Sequence, residues 1–298
     1  MTSIRVLASD RNIVGEGPVW DERSGTLYWV DIVAKQIWSL DPRSRHKRVW
    51  SVPDVIGCMA LRERGGAVLA LRDGIYLFDF ASGRADLFCQ PDLAHPDNRA
   101  NDGRCDSRGR LWFGTMQNNI DWDGRPKEID RWGGNLYRVD PDGGFAHFGG
   151  GFGISNTVAW SPDDRTFYFG DTLASDLYAF DFDAETGVIT NRRTFCHTEE
   201  HGMPDGSAVD VEGFVWNARH DGSCLIRYAP DGSIDRILDL PLRHPTSCCF
   251  GGDEMKTLFV TSLSHGMTED DFAANPNEGA LLAVDVGIEG LPSHRFAG

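Results

Sequence analysis

Short apolar runs, rich in aromatic and β-branched side chains, recur along the whole chain between clusters of Gly, Asp and Pro, and no helical period persists between them. Runs of about five residues with such boundaries predict β-strands. They fall into six units, each with a strand, a turn and an aromatic or aliphatic strand ending near Asp. The units cover residues 25–31 with 36–42, 66–71 with 74–79, 109–116 with 134–140, 166–171 with 176–181, 213–218 with 224–228, and 256–261 with 279–285. A repeat of roughly 40 to 55 residues is the spacing of a four-stranded propeller blade. The pattern therefore predicts an all-β chain folded as a six-bladed β-propeller, a single domain over residues 1–298. One blade cannot bury both of its faces, so the ring must close on itself, with Arg5-Val6-Leu7 as the expected closing strand.

A second regularity lies inside the first. Glu16, Asn101 with Asp102, Asn156 and Asp205 each stand roughly eight or nine positions before the turn of their unit. Equivalent positions in equivalent blades face one place, so these side chains are expected at one mouth of the central channel. The other two units carry Gly57-Cys58 and Ser247-Cys248 at the same phase, small or soft groups that serve as wall. The polar set is oxygen-rich and suits one divalent cation, Ca²⁺ or Zn²⁺, with Mg²⁺, Mn²⁺ or Fe²⁺ also compatible.

Charge narrows the partners. A formal net charge of -16 disfavours nucleic acid and anionic lipid. The seven cysteines include no C-x-x-C pair, and a chain of this size needs no disulfide staple, so reduced thiols in a cytoplasm are expected. No apolar leader or membrane-length run is present in the sequence, which points to a soluble protein, a monomer or weak homo-oligomer.

Glu16-Gly17-Pro18-Val19-Trp20, Asn98-Arg99-Ala100-Asn101-Asp102-Gly103, Ile154-Ser155-Asn156, Asn191-Arg192-Arg193, Pro204-Asp205-Gly206, Thr246-Ser247-Cys248-Cys249-Phe250-Gly251-Gly252 and Phe296-Ala297-Gly298 occur in this order. Together they resemble the senescence marker protein/regucalcin and gluconolactonase family, from near residue 12 onward. The resemblance implies a six-bladed propeller with one divalent cation in its channel that hydrolyses sugar lactones. It implies that Glu16, Asn156 and Asp205 hold the metal and that Arg99 and Asn101 bind the sugar. Animal members carry a substrate-binding Glu shortly after the Gly-Thr-Met of blade three. This chain reads Gln117-Asn118-Asn119 there, leaving Asn119 as the candidate for that contact.

Lactone opening needs a polarised carbonyl and an activated water, and a divalent ion promotes both. Asp205 is the expected proton acceptor because Gly206 leaves room beside it. Arg99 is expected to orient the lactone and stabilise developing negative charge, against a purely structural pairing with Asp97 or Asp102. Four other features compete. Asn119-x-Asp121-x-Asp123-Gly124 with Asp130 mimics a Ca²⁺ loop but lacks flanking helices, so residues 117–131 read as an insertion over the mouth or a second cation site. The 149–153 glycine run reads as a turn, His197 and His201 as a loop near Asp205, and Cys248-Cys249 as core. A phosphotriester hydrolase and a non-catalytic calcium-binding propeller remain as alternative functions, with polar channel walls expected to favour the sugar.

Overall fold

The computed structural model describes residues 3–298, which form six four-stranded antiparallel sheets arranged as a six-bladed β-propeller. The innermost strands, in blade order, are Gly15–Asp21, Ile56–Leu61, Asn98–Cys105, Ser155–Trp160, Met203–Val209 and Pro245–Gly251. Ser3–Ala8 pairs antiparallel with Leu281–Asp285, supplying the outer strand of blade 6 from the other end of the chain. The expected closing strand is thus in place. Apolar residues on facing sheets interlock between blades. Trp112, for example, is fully buried against Phe148, Trp160, Phe167 and Phe182, joining blades 3 and 4.

The turns beneath the inner strands explain the regular Asp-Gly spacing. Asp210 accepts backbone N–H groups of Glu212 and Phe214, the Trp216 indole N–H and Arg227 Nε, all from a fully buried carboxylate. Asp106 does the same for Arg108, Arg110 and Trp112 in blade 3. Each carboxylate satisfies turn donors that would otherwise be orphaned, and it anchors the tryptophan of the next strand.

Two expectations need correction. The 149–153 glycines are not simply a turn: residues through Phe152 belong to the outer strand Phe145–Phe152, whose register shifts twice against its neighbour. A short helix, Glu269–Ala274, stands between the last two strands, capped reciprocally by Thr268 and Asp271. Six residues are too few to show a helical period. No helix among the described residues is long and apolar enough to cross a membrane.

Candidate functional site

Every inner strand breaks register at the same height. The shifts fall between Glu16 and Val19, Ile56 and Cys58, Ala100 and Gly103, Asn156 and Val158, Pro204 and Ser207, and Pro245 and Cys248. A bulge bends its strand and re-aims a side chain. Here six bulges form one ring around the axis, and the predicted polar residues lie at or within them. Gly57 and Ser247 occupy the remaining places, as the sequence phase suggested.

Bulged backbone loses ladder partners, and side chains from adjoining positions replace them. Thr157 Oγ1 donates to the Asp205 carbonyl at 2.6 Å, Asn217 Nδ2 donates to the same oxygen at 2.8 Å, and Thr172 Oγ1 donates to the Pro204 carbonyl at 2.7 Å. Thr246 Oγ1 donates to the Gly15 carbonyl at 2.6 Å, tying blade 6 to blade 1. Thr157 itself adopts φ 52°, a left-handed backbone uncommon for a β-branched residue and held only because its surroundings fix it.

Close approach also matters at the ring. A Cβ on Gly206 would lie 2.1 Å from Ser247 Oγ and 2.5 Å from Ser247 Cβ, so the room expected beside Asp205 at this glycine is filled by blade 6. Gly206→Ala is expected to destabilise the chain by about 1–3 kcal/mol through overpacking. Urea denaturation checks this, with partial recovery expected when Ser247→Gly is added; an unchanged midpoint for the single variant would refute it.

Glu16, Arg99, Asn101, Asn119, Asn156 and Asp205 line one cavity of about 180 Å³ at the mouth where the inner strands begin. The structure therefore brings together all six predicted residues. Five of them are buried, Asn156 to 3% exposure and Asp205 to 8%. Glu16 and Asp205 are close enough to share a proton. Burial, then the neighbouring Asp102 charge, raises the Glu16 carboxyl to about 8. Burial and the Glu16 charge push Asp205 well above the usual carboxylate range. Asp205 Oδ1 is buried without a hydrogen-bond partner. Paired buried carboxylates with an orphaned oxygen are the environment a divalent cation relieves, so this donor set fits the implied metal. Among the described residues no three His, Cys, Asp or Glu side chains gather as a ligand group. A third oxygen in the same cavity is that of the Asn156 amide, whose Nδ2 donates to Thr172 Oγ1 at 2.8 Å. Asp102 raises both acids through its charge, while its own Oδ1 accepts the Gly103 backbone N–H at 2.8 Å and its Oδ2 is buried without a partner.

Arg99 is paired neither with Asp97 nor with Asp102. Its Nε and Nη2 both donate to Asn119 Oδ1, at 3.1 and 2.9 Å, and Nη1 donates to Asn101 Oδ1 and the Ala100 carbonyl, at 2.7 and 2.9 Å. Burial lowers its pKa to about 10, so it stays charged at neutral pH. The guanidinium edge expected to orient the lactone is thus closed by Asn119. Four hydrogen bonds leave one of the five guanidinium N–H groups for a ligand. Asn101 donates both to the Ser155 carbonyl, at 2.9 Å, and to Asn156 Oδ1, at 3.0 Å, so it connects the Arg99 side of the site to the Asn156 side.

The insertion crosses the mouth. His265, in the loop of the opposite blade, places Nε2 2.8 Å from the Gly124 carbonyl. The Ca²⁺-loop spacing goes instead into local turns, because Asp121 accepts the backbone N–H groups of Asp123 and Arg125 and Asp130 accepts from Gln117. His197 pairs with Asp176 at the exposed surface, while His201 is exposed and its carbonyl accepts from Arg219; neither lines the cavity. Two unpredicted histidines do, His220 and His265. His220 ends the second strand of blade 5 opposite Met203, and such strand ends return to the same mouth as the inner-strand starts. Burial and the neighbouring His244 lower its pKa to about 4, so it is neutral. The walls also contradict the expected polarity. Val14, Ile32, Met116, Ile154, Met203 and Leu263 alternate with the polar groups. Cys248 and Cys249 are buried core residues with thiols pushed up to about 12 by desolvation, as expected of inert cysteines.

Comparison with known proteins accords with this architecture. The chain is 36% identical over 298 residues to a 6-deoxy-6-sulfogluconolactonase of Pseudomonas putida, covering 99% of each chain. It is 35% identical over 303 residues to regucalcin of Xenopus laevis, covering 100% of both. A crystal structure described as a calcium-binding protein, regucalcin, from Agrobacterium tumefaciens superposes with a TM-score of 0.92 at 31% identity, covering 99% of this chain and 97% of that one. The profile of the SMP-30/Gluconolactonase/LRE-like region matches residues 14–264, and the chain belongs to that family.

Proposed function

We propose that the protein hydrolyses a sugar lactone to the corresponding aldonic acid, using one divalent cation at Glu16, Asn156 and Asp205. The observation that carries this reading is the pair of buried carboxyls, Glu16 and Asp205, beside a neutral amide oxygen and within one cavity with Arg99 and Asn119. The 6-deoxy-6-sulfogluconolactonase relative and the calcium-binding structural relative support the substrate class and the cation. When bound, the cation supplies Lewis-acid polarisation of the lactone carbonyl and lowers the pKa of water. Asp205 accepts the proton of the attacking water, its Oδ1 being the buried carboxylate oxygen with no protein donor. The free N–H of Arg99 faces the oxygen on which negative charge develops. The Asn119 side-chain amide N–H groups, held in place through Oδ1, orient ring hydroxyls.

Hydrolysis of aldono-1,4- and 1,5-lactones by chelator-stripped protein reloaded with single divalent ions tests this reading. Metal-dependent opening of one lactone above the spontaneous rate is the expected result. The apolar rim favours one competitor enough to include it, a dialkyl aryl phosphate. Turnover of that ester alone, or cation binding with no turnover of any substrate, would overturn the lactonase assignment.

A further inference from the structure

The channel has a second mouth, and it contains a cavity that the catalytic reading does not use. Below the ring of bulges, Val19, Met59, Arg104, Ala159, Val209 and Phe250, one from each inner strand, surround a space of about 180 Å³. The segment after the last strand closes its side. Gly290 N–H donates to the Met255 carbonyl at 2.8 Å, Leu291 to Val209 at 3.0 Å, Phe296 to Leu61 at 2.8 Å and Ala297 to Gly109 at 3.0 Å, which pins residues 290–297 beneath four blades. Leu291 to His294 then form part of the cavity wall.

Arg104 is the only Arg or Lys side chain in that wall, and it is partly buried. Its single hydrogen bond among the described residues runs from Nη2 to the Cys248 carbonyl at 2.7 Å, and it stands in no ion pair. No carboxylate touches it, but against the burial that raises both, its charge lowers the buried Asp102 carboxyl and, more weakly, that of Glu16. Arg104 thus brings a guanidinium, with its fixed fork of donors, to the cavity wall with no carboxylate in ion-pair contact. Asp164 also borders the space, from a turn of blade 4, together with Ser161 and Ser293. The remaining wall is largely apolar. An engineered cavity of about 150 Å³ holds a benzene-sized body, so this one has room for a compact ring.

We propose that this lower cavity is a second small-molecule site, separate from the lactone site, for a compact monocarboxylate whose carboxylate pairs with Arg104 and whose apolar body packs on Met59, Val209 and Phe250. The placement of one cation without an ion-pair partner in a largely apolar chamber selects that chemistry. A polyanion would meet a single charge, and a neutral polyol would leave the guanidinium unmatched. The two cavities share no lining residue, so the proposal does not require the catalytic reading, although the Arg104 charge reaches Glu16 and Asp102.

Calorimetric titration with benzoate, acetate and inorganic phosphate tests it on the intact chain. Benzoate is expected to bind at one site per chain, more tightly than acetate or phosphate, with metal present or removed. Arg104→Gln is expected to weaken benzoate by about tenfold or more. Ser293→Phe, placed in the segment beneath the blades, is expected to abolish benzoate binding by filling the chamber while leaving lactone turnover intact. It decides the question if Arg104→Gln fails to fold. Absence of benzoate binding to the wild-type chain, persistence of binding in Ser293→Phe, or displacement of benzoate by the aldonate product would each overturn the proposal.

Discussion

Asp205→Ala is expected to lower lactone turnover by roughly 10²–10⁴, the range of a lost general base, even with divalent ion in excess. Loss of a metal-holding oxygen adds to that effect, so Asp205→Asn separates the two roles. The amide keeps an oxygen for the cation but cannot take a proton. If Asp205 is the base, Asn at this position binds the ion with weakened affinity yet remains as inactive as Ala. If Asp205 only ligates, turnover by the Asn variant recovers once the ion is supplied at saturating concentration. Initial rates at several ion concentrations, compared with spontaneous hydrolysis, distinguish the outcomes. Full activity of the Ala variant at saturating ion would remove Asp205 from the mechanism altogether. The backbone near this residue is expected to survive the changes. Its carbonyl is held by Thr157 and Asn217, and neither bond involves the side chain.

The period of apolar runs was sufficient to recover the blade order and the closing strand, because strand length, turn chemistry and repeat spacing are all local properties. The convergence of Glu16, Asn101, Asn156 and Asp205 was legible for the same reason: one phase in each blade maps to one height in the channel. The cause was not legible. Bulges arise from pairing between strands, and no single-strand pattern announces the left-handed Thr157 that follows Asn156. Arg99 shows a second limit. Its charge and motif suggested a side chain free to orient the lactone, whereas three-dimensional packing delivers Asn119 to its guanidinium from an insertion 20 residues away. His220 and His265 were hidden differently. Both lie outside the inner strands, one at the end of a second strand and the other in a loop that reaches the insertion from the far side of the ring. The apolar rim was missed because its residues also read as ordinary core, and only closure of the ring shows which of them face the channel.

Saturating divalent ion is expected to raise the melting temperature of the chelator-stripped chain, and to raise it more at pH 8 than at pH 6. Ion present at a hundred times its dissociation constant contributes about 2.7 kcal/mol to the folded state, a rise of roughly 5 °C for a chain of this size. The pH dependence follows from Glu16. Its folded carboxyl is raised to about 8 from an ordinary value of 4.5, chiefly by burial. A raised acid favours the proton-bound folded state, so the contribution is fully present below pH 4.5 and is lost as pH rises through 8. Asp205, also raised, adds in the same direction. The stripped chain should therefore lose stability toward alkaline pH as two buried carboxylates are forced to ionise side by side. The cation replaces the shared proton, and its affinity grows as that proton leaves. Thermal denaturation of stripped and reloaded protein at the two pH values measures both halves of the argument. An ion-induced shift that is absent, or that is larger at pH 6, would show that Glu16 and Asp205 do not hold the ion. Glu16→Gln provides the internal control: it is expected to flatten the alkaline decline of the stripped chain and to reduce the ion-induced rise together, because one carboxylate underlies both.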